Sequence, residues 1–365
     1  MKLNFNIPIN STSFGQTSLL IARTLFSEIK KGKRSDSDYS ISPLGAVDLS
    51  TQDLDDEFTS WLSQKIATPM LSHDRKTPSF KLWHLNGALE SMSEKQTLLS
   101  FYELDQPTKA EINSVKNNNT LFSSQFSIDA FKPFGQQAQL LPLAFDSYNF
   151  NNTGKAYFSD GRITFNLCGK FEKRKNHEKI IKAWIKRYKN SRSHFLQCAV
   201  YNPFLSQETN NALINNSLNG DKPFNVTFLP FLGKNSQYND FLNSADVVIG
   251  MSGGEGWGLP EFTSVCLGKH SVIMNSHGYK LWAEHGGCNL VNPSSKIECY
   301  DGIFFQKNAP FNQGNIFDFN EDEFINACEA ASSNASKNKV NKKGLELREI
   351  FSKEKLLDNI INYAS

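Results

Sequence analysis

The chain has 365 residues, 39% hydrophobic and 21% charged, with a formal net charge of +2. That length exceeds one ordinary core and fits two α/β domains. The composition excludes a disordered chain, and the near-neutral charge gives no argument for nucleic acid as a partner.

In chain order, residues 2–9 form a strand candidate. Residues 15–32 have helical spacing: Leu19, Leu20, Ala22, Leu25 and Ile29 share a face, and Gly32 supplies the stop. Residues 80–88, 95–104 and 119–124 read as buried strands, and 140–146 follows them. The polar, Asn/Gly-rich stretch 146–162 reads as a linker. Beyond it the pattern alternates regularly. Strands are expected at 162–167, 194–201, 225–229 and 246–250, and helices at 176–188, 206–218 and 236–245. Such alternation argues for a parallel sheet with helices on both faces. In such sheets ligands bind beyond the carboxyl ends of the strands.

No apolar stretch reaches the ~18 residues that span a bilayer. The N-terminal residues lack the continuous apolar core of a signal peptide. The six cysteines, at 168, 198, 266, 288, 299 and 328, form no C-x-x-C pair. They read as reduced thiols of a cytoplasmic protein rather than as a disulfide or zinc framework. The seven histidines show no ligand spacing, so no metal is expected. The D-L-D run at Asp53–Asp55 lies in a polar, helix-like stretch and reads as a solvated face.

One such strand end carries "SGGEGWGLP", residues 252–260. Pro260 suits the first helical position and Gly268 the position just past the last turn. The loop therefore feeds a helix N-terminus, whose unpaired N–H groups favour an anion. Glu255 cannot bind phosphate but can accept hydrogen bonds from sugar hydroxyls. Together these features suit a sugar diphosphate; a tight turn without function is the plainer reading. A second strand-to-helix turn, "GKFEKRKN" (169–176), places cations beside the same crevice, where they would neutralise a diphosphate. Lys170 and Lys175 are the expected ligands; Lys173 and Arg174 read as a solvated basic loop.

These stretches resemble the nucleotide-sugar-binding half of retaining GT-B glycosyltransferases, specifically glycosyltransferase family 4. The family's "G-R-[L/F]-x-x-x-K-G" turn is matched by "GKFEKRKN", with Lys170 at the Arg position and Lys175 at the Lys position. Its "E-G-F-G-L-P-x-x-E-A-M-A-x-G-x-P-V-I" run is matched by "EGWGLPEFTSVCLGKHSVI" (255–273). The likeness covers most of residues 160–365. It is thinner before that, in "FYELDQP", "LFSSQFSIDAFKPFG" and "LPLAFD".

The resemblance implies two Rossmann-like domains around a cleft: an acceptor domain (1–152), a donor domain (153–342), and a C-terminal helix (343–365) returning to the first. It implies a metal-independent transferase with no cofactor beyond the nucleotide-sugar co-substrate. Catalysis would then rest on positioning and electrostatics, through Lys170, Lys175, Glu255 and Glu103. Donor contacts are expected from Gly169, Lys170, Lys175, Phe228, Leu229, Phe231, Gly254, Glu255, Gly256, Trp257, Gly258, Leu259 and Thr263. Acceptor contacts are expected from Gly15, Gln16, His84 and Glu103. Residues 274–280 are a further source of donor contacts.

The sequence departs from the family at one position. The second family carboxylate, eight residues after Glu255, is Thr263 here. Glu261 lies roughly 200° around the helix from it and cannot simply substitute. The acceptor stays open between a glycan or lipid-linked sugar and a hydroxymethylated DNA base of viral type. The latter is suggested by the basic stretch 179–192 and by Lys/Asn/Phe-rich usage, and it would require base flipping. The alternative class is a non-catalytic nucleotide-sugar or DNA binder.

Overall fold

A computed structural model describes residues 2–364. The first half builds a six-stranded sheet from β1 (Leu3–Ile7), β2 (Tyr39–Pro43), β3 (Ser79–Leu82), β4 (Gln96–Ser100), β5 (Asn119–Phe122) and β6 (Gln139–Leu140). Their order is β2-β1-β3-β4-β5-β6, all parallel. The second half builds another from β7 (Ile163–Cys168), β8 (His194–Ala199), β9 (Val226–Phe228), β10 (Val247–Gly250), β11 (His270–Met274) and β12 (Asn289–Val291). Their order is β12-β11-β10-β7-β8-β9, again all parallel. The expected parallel sheet of the second half is present, and the first half repeats it.

The central strands are buried on both faces, polar residues included. In β1 every residue is buried, Asn4 and Asn6 included; Asn4 accepts from the Ser40 and Ser42 hydroxyls, and Asn6 donates to the Ser42 carbonyl. The strand expected at 80–88 stops at Leu82, because a 3-10 turn at Leu85–Gly87 follows. Asp55 of the D-L-D run caps the helix Asp56–Leu71, accepting from Phe58 N–H at 2.7 Å. Asp53 and Asp55 are both exposed, as a solvated face requires, and Asp55 serves in addition as the cap. The six cysteines are all unpaired.

The chain's last helix, Lys353–Ala364, packs on the first, Ser13–Lys30, through buried Leu356, Leu357 and Ile360. The Tyr363 carbonyl accepts from Thr97 and Asn119 of the first sheet. The return of the C-terminus to the first half is therefore present. It is a separate helix, broken from Lys342–Ile350 at Phe351–Ser352, and Ser365 lies outside the described residues.

One element has no counterpart in the sequence reading. Between β12 and the helix Glu321–Lys337 runs an antiparallel hairpin, β13 (Pro293–Glu298) and β14 (Asn315–Phe319). Its Cys299, Phe305 and Ile316 are buried among Leu85, Leu98, Tyr102, Leu104 and Phe122 of the first half. This strap crosses between the halves and ties them together. Lys296 pairs with Asp105 at 2.7 Å, and the Asn315 and Asn312 N–H groups donate to Asp105 and Glu111, each at 2.8 Å.

Candidate functional site

The carboxyl ends of the two sheets enclose a cavity of about 320 Å³. Its walls are the segments that follow β1, β4, β7, β8, β9 and β10. Thus "SGGEGWGLP" after β10 and "GKFEKRKN" after β7 meet in one place, as strand-end positioning requires.

The glycines of the first motif serve close packing. Gly256 lies against Phe101, where an added Cβ would stand 2.6 Å from the Phe101 Cβ. Ser123 donates to the Gly256 carbonyl at 2.8 Å, so the loop is fastened to the first half. Gly258 has φ of +81°, and its missing Cβ would lie 2.0 Å from a Tyr279 ring carbon. From there the helix Leu259–Cys266 begins, with Pro260 in its first turn and Gly268, at φ +84°, just beyond it. Among the described residues, no protein acceptor takes the N–H of Gly256, Trp257, Gly258 or Leu259. All four residues line the cavity. The Trp257 ring points away, packed on Phe262 and Phe351, so only its backbone serves the cavity.

Charge is concentrated on the opposite wall. Lys175 meets Glu255 at 2.5 Å, and both side chains are buried. Arg174 Nη1 donates to the same Glu255 oxygen at 2.8 Å and to the Gly254 carbonyl at 2.7 Å. Its Nε reaches Glu172 at 3.0 Å and Glu103, from the first half, at 3.4 Å. The expectation that Arg174 is solvated is therefore wrong. The 3-10 turn Lys173–Lys175 leaves Lys173 at the surface and turns Arg174 inward, where three carboxylates surround it. Lys170 pairs with Glu172 at 2.8 Å, and its ammonium stands 4.9 and 5.0 Å from the Phe204 and Phe304 rings.

These contacts set the protonation of the carboxylates. Burial pushes Glu255 up, but Lys175 and Arg174 outweigh it and hold its pKa down to about 2. Burial dominates at Glu103: although Arg174 opposes it, Glu255 and Glu172 add to it, and the pKa rises to about 7. Burial also raises Glu261, whose side chain lies beneath the loop against Gly250 and Gly258 rather than in the cavity.

The other expected residues divide. Gly169, Lys170, Lys175, Glu103, Phe231, Glu255, Gly256, Trp257, Gly258 and Leu259 line the cavity. Thr263 and Gln16 line an adjoining chamber of about 250 Å³ with Tyr238 and Asn235. Gln16 and Asn235 hydrogen-bond to each other across the two halves, at 3.0 Å from the Asn235 amide. Gly15 is not brought to either space: it is buried in the first helical turn, where any Cβ would strike the Asn10 backbone. Ser11, Thr12 and Ser13 reach the cavity instead. Gly254, Phe228 and Leu229 lie behind the lining; Gly254 packs on the Glu103 carbonyl, and the other two pack on the core. His84 faces a separate small pocket, its ring tilted against that of Phe14 with centroids 4.3 Å apart. Its pKa is lowered by crowding and by the charge of Lys170. Residues 274–280 supply buttresses rather than lining: buried His277 bonds the Ser252 carbonyl at 2.7 Å, and the Gly278 N–H donates to the Glu255 carbonyl at 3.0 Å. Tyr201, Phe204 and Tyr238 also line the cavity. No motif marks them; only their distance from a strand end could have suggested them.

Four of the six cations in the basic stretch 179–192 make ion pairs shorter than 3 Å, while Lys186 stands 3.9 Å from Glu321 and Arg192 makes none among the described residues. Lys179 pairs with Asp318, Lys182 with Glu178, Arg187 with Glu329 and Lys189 with Asp221.

No family model matches the sequence, and no curated protein matches it. Solved structures do. Sucrose-phosphate synthase from Thermosynechococcus elongatus superposes with a TM-score of 0.68 at 12% identity, over 99% of this chain and 98% of that one. HepE from Anabaena, in complex with UDP and glucose, gives 0.63 at 12% identity over 99% and 98%. Trehalose 6-phosphate synthase from Burkholderia multivorans gives 0.63 at 9% over 100% and 98%. At such identities the likeness establishes the fold: the chain has the GT-B architecture of two facing Rossmann-like halves.

Proposed function

We propose that this protein is a retaining glycosyltransferase that moves a sugar from a nucleotide-sugar donor to a hydroxyl acceptor. One observation carries the reading. Four residues whose backbone N–H groups lack a protein acceptor, three cations and Glu255 line one cavity between the halves. An anion cradle beside a hydroxyl acceptor suits a sugar diphosphate. The solved structures of the same fold include HepE bound to UDP and glucose, which supports the donor class.

In this reading the N–H groups of residues 256–259, with Lys170 and Lys175, hold the diphosphate. Glu255 grips a sugar hydroxyl, and Glu103 faces the acceptor side. The acceptor oxygen bonds to the anomeric carbon on the face from which the diphosphate departs. The acceptor's proton passes to the leaving phosphate oxygen. Positioning and fixed positive charge supply the acceleration. Side chains and backbone supply that charge, so chelators should leave transfer unchanged.

The test is a panel of nucleotide sugars, read by thermal shift and by donor hydrolysis. Wild type is compared with Lys170→Ala and Glu255→Gln. One stabilising donor, turned over by wild type and lost in both variants, is expected. Stabilisation without turnover would favour the binding-only class, and no response to any donor would sink the reading.

A further inference from the structure

The side chains of the cavity are balanced in charge. Lys170, Arg174 and Lys175 face Glu103, Glu172 and Glu255, and each cation already has a carboxylate partner. A diphosphate carrying two or more negative charges meets the N–H groups of residues 256–259 there but no cation without a carboxylate partner, which is costly unless a cation is added or a carboxylate is neutralised.

The contacts single out which carboxylate yields. Glu172 holds Lys170 at 2.8 Å and Arg174 at 3.0 Å. Glu255 holds Arg174 at 2.8 Å and Lys175 at 2.5 Å. Glu103 has one long contact, 3.4 Å to Arg174. Neutralising either of the first two strips two close ion pairs; neutralising Glu103 strips the weakest.

We infer that a nucleoside diphosphate enters this cavity together with one proton, taken from solvent onto the carboxylate of Glu103. This rests on the nucleotide-sugar reading above. The balance is simple: the proton adds to a Glu103 oxygen on binding and returns to solvent when the diphosphate leaves. Neutral Glu103 leaves Arg174 in place on Glu172, Glu255 and the Gly254 carbonyl, with one carboxylate charge fewer to offset its own. The charged groups that act most strongly on Glu103 are Arg174, Lys175 and Glu172 from the segment after β7 and Glu255 from the glycine loop; Lys170 lines the same cavity. Burial already places its titration at about 7, so an added negative charge nearby moves it through the neutral range.

Calorimetry with UDP as the probe, in two buffers of different ionisation enthalpy around pH 8, counts the protons. Wild type is expected to take up about one proton per UDP bound, and Glu103→Gln close to none. Above the Glu103 transition the wild-type Kd should rise by up to about tenfold per pH unit, while that of Glu103→Gln stays level. Titration of the nucleotide's own phosphate is common to both and cancels. Should Glu103→Gln misfold, Glu103→Asp supplies the comparison: its carboxylate is withdrawn by one methylene, and its proton uptake should set in at lower pH than that of wild type. UDP binding without proton uptake, or with equal uptake in both proteins, overturns the inference. Failure of UDP, GDP, ADP and dTDP alike to bind overturns the nucleotide-sugar reading, and the inference falls with it.

Discussion

Lys175 Nζ lies 2.5 Å from Glu255 Oε1, which joins the two strand-end motifs by a buried ion pair. Lys170 makes an ion pair of similar length with Glu172, yet its side chain is 39% exposed. The two lysines share one strand-to-helix turn but stand in different environments. Lys175→Met leaves a buried carboxylate short of a partner and should cost about 3–5 kcal/mol in urea unfolding. Lys170→Met should cost less, about 1–3 kcal/mol, because solvent reaches the lysine end of its pair and Arg174 still holds the buried Glu172. Nucleotide affinity should nevertheless fall in Lys170→Met. Equal stability losses in the two variants would contradict the assignment.

Glu103 and Glu255 should give opposite pH signatures. Glu103 has a folded pKa of about 7, above its ordinary 4.5. The folded state therefore binds the extra proton, and stability falls as pH rises from about 4.5 to about 7. Glu103→Gln should raise Tm around pH 8, by the equivalent of about 1–3 kcal/mol, and change little around pH 4. Glu255 has a folded pKa of about 2. Its contribution is present above about 4.5 and is lost as pH falls toward about 2. Glu255→Gln should therefore destabilise at neutral pH and flatten the acid limb. Thermal melts across pH on both variants check the pair.

The doubly wound pattern was legible because each buried parallel strand is a short run bounded by turn residues. The two site motifs were legible because they must sit at strand ends. Arg174 was misread because the sequence "KRK" does not state which cation a 3-10 turn buries; that depends on Glu103, seventy-one residues earlier in the chain. Gly15 was misread for a related reason. A glycine beside a functional loop looks the same whether it approaches a ligand or, as here, the Asn10 backbone. The strap was invisible because its buried residues, Cys299, Phe305 and Ile316, follow no single period and bury against the other half.

Gly258 tests whether the loop's backbone path matters. Its φ of +81° is strained for any other residue, and a Cβ there would lie 2.0 Å from Tyr279. Gly258→Ala should destabilise by about 2–4 kcal/mol, summing backbone strain and overpacking. It should also turn the Gly258 and Leu259 N–H groups away from the cavity. A folded Gly258→Ala protein is therefore expected to bind nucleotide more weakly than wild type at equal saturation of the fold. Unchanged affinity by calorimetry would show that the cradle does not depend on this turn.

The strap ties the two halves through an apolar contact and a polar clasp. Asp105 accepts Lys296 at 2.7 Å and the Asn315 N–H at 2.8 Å, and it stands at the seam beside the buried Ile316. The strap also touches the site: Phe304 flanks Lys170, and the Tyr300 carbonyl accepts from Lys173 at 2.9 Å. Phe305→Ala should cost about 3–5 kcal/mol, because a buried ring leaves a cavity. Asp105→Ala is milder and leaves the apolar contact in place, while orphaning the Asn315 N–H, at about 1–3 kcal/mol. If the strap holds the halves closed, Asp105→Ala should expand the protein in small-angle scattering, and nucleotide should restore the wild-type dimension. A variant as compact as wild type, with wild-type affinity, would show that Ile316, Phe305 and Cys299 hold the seam without the polar clasp.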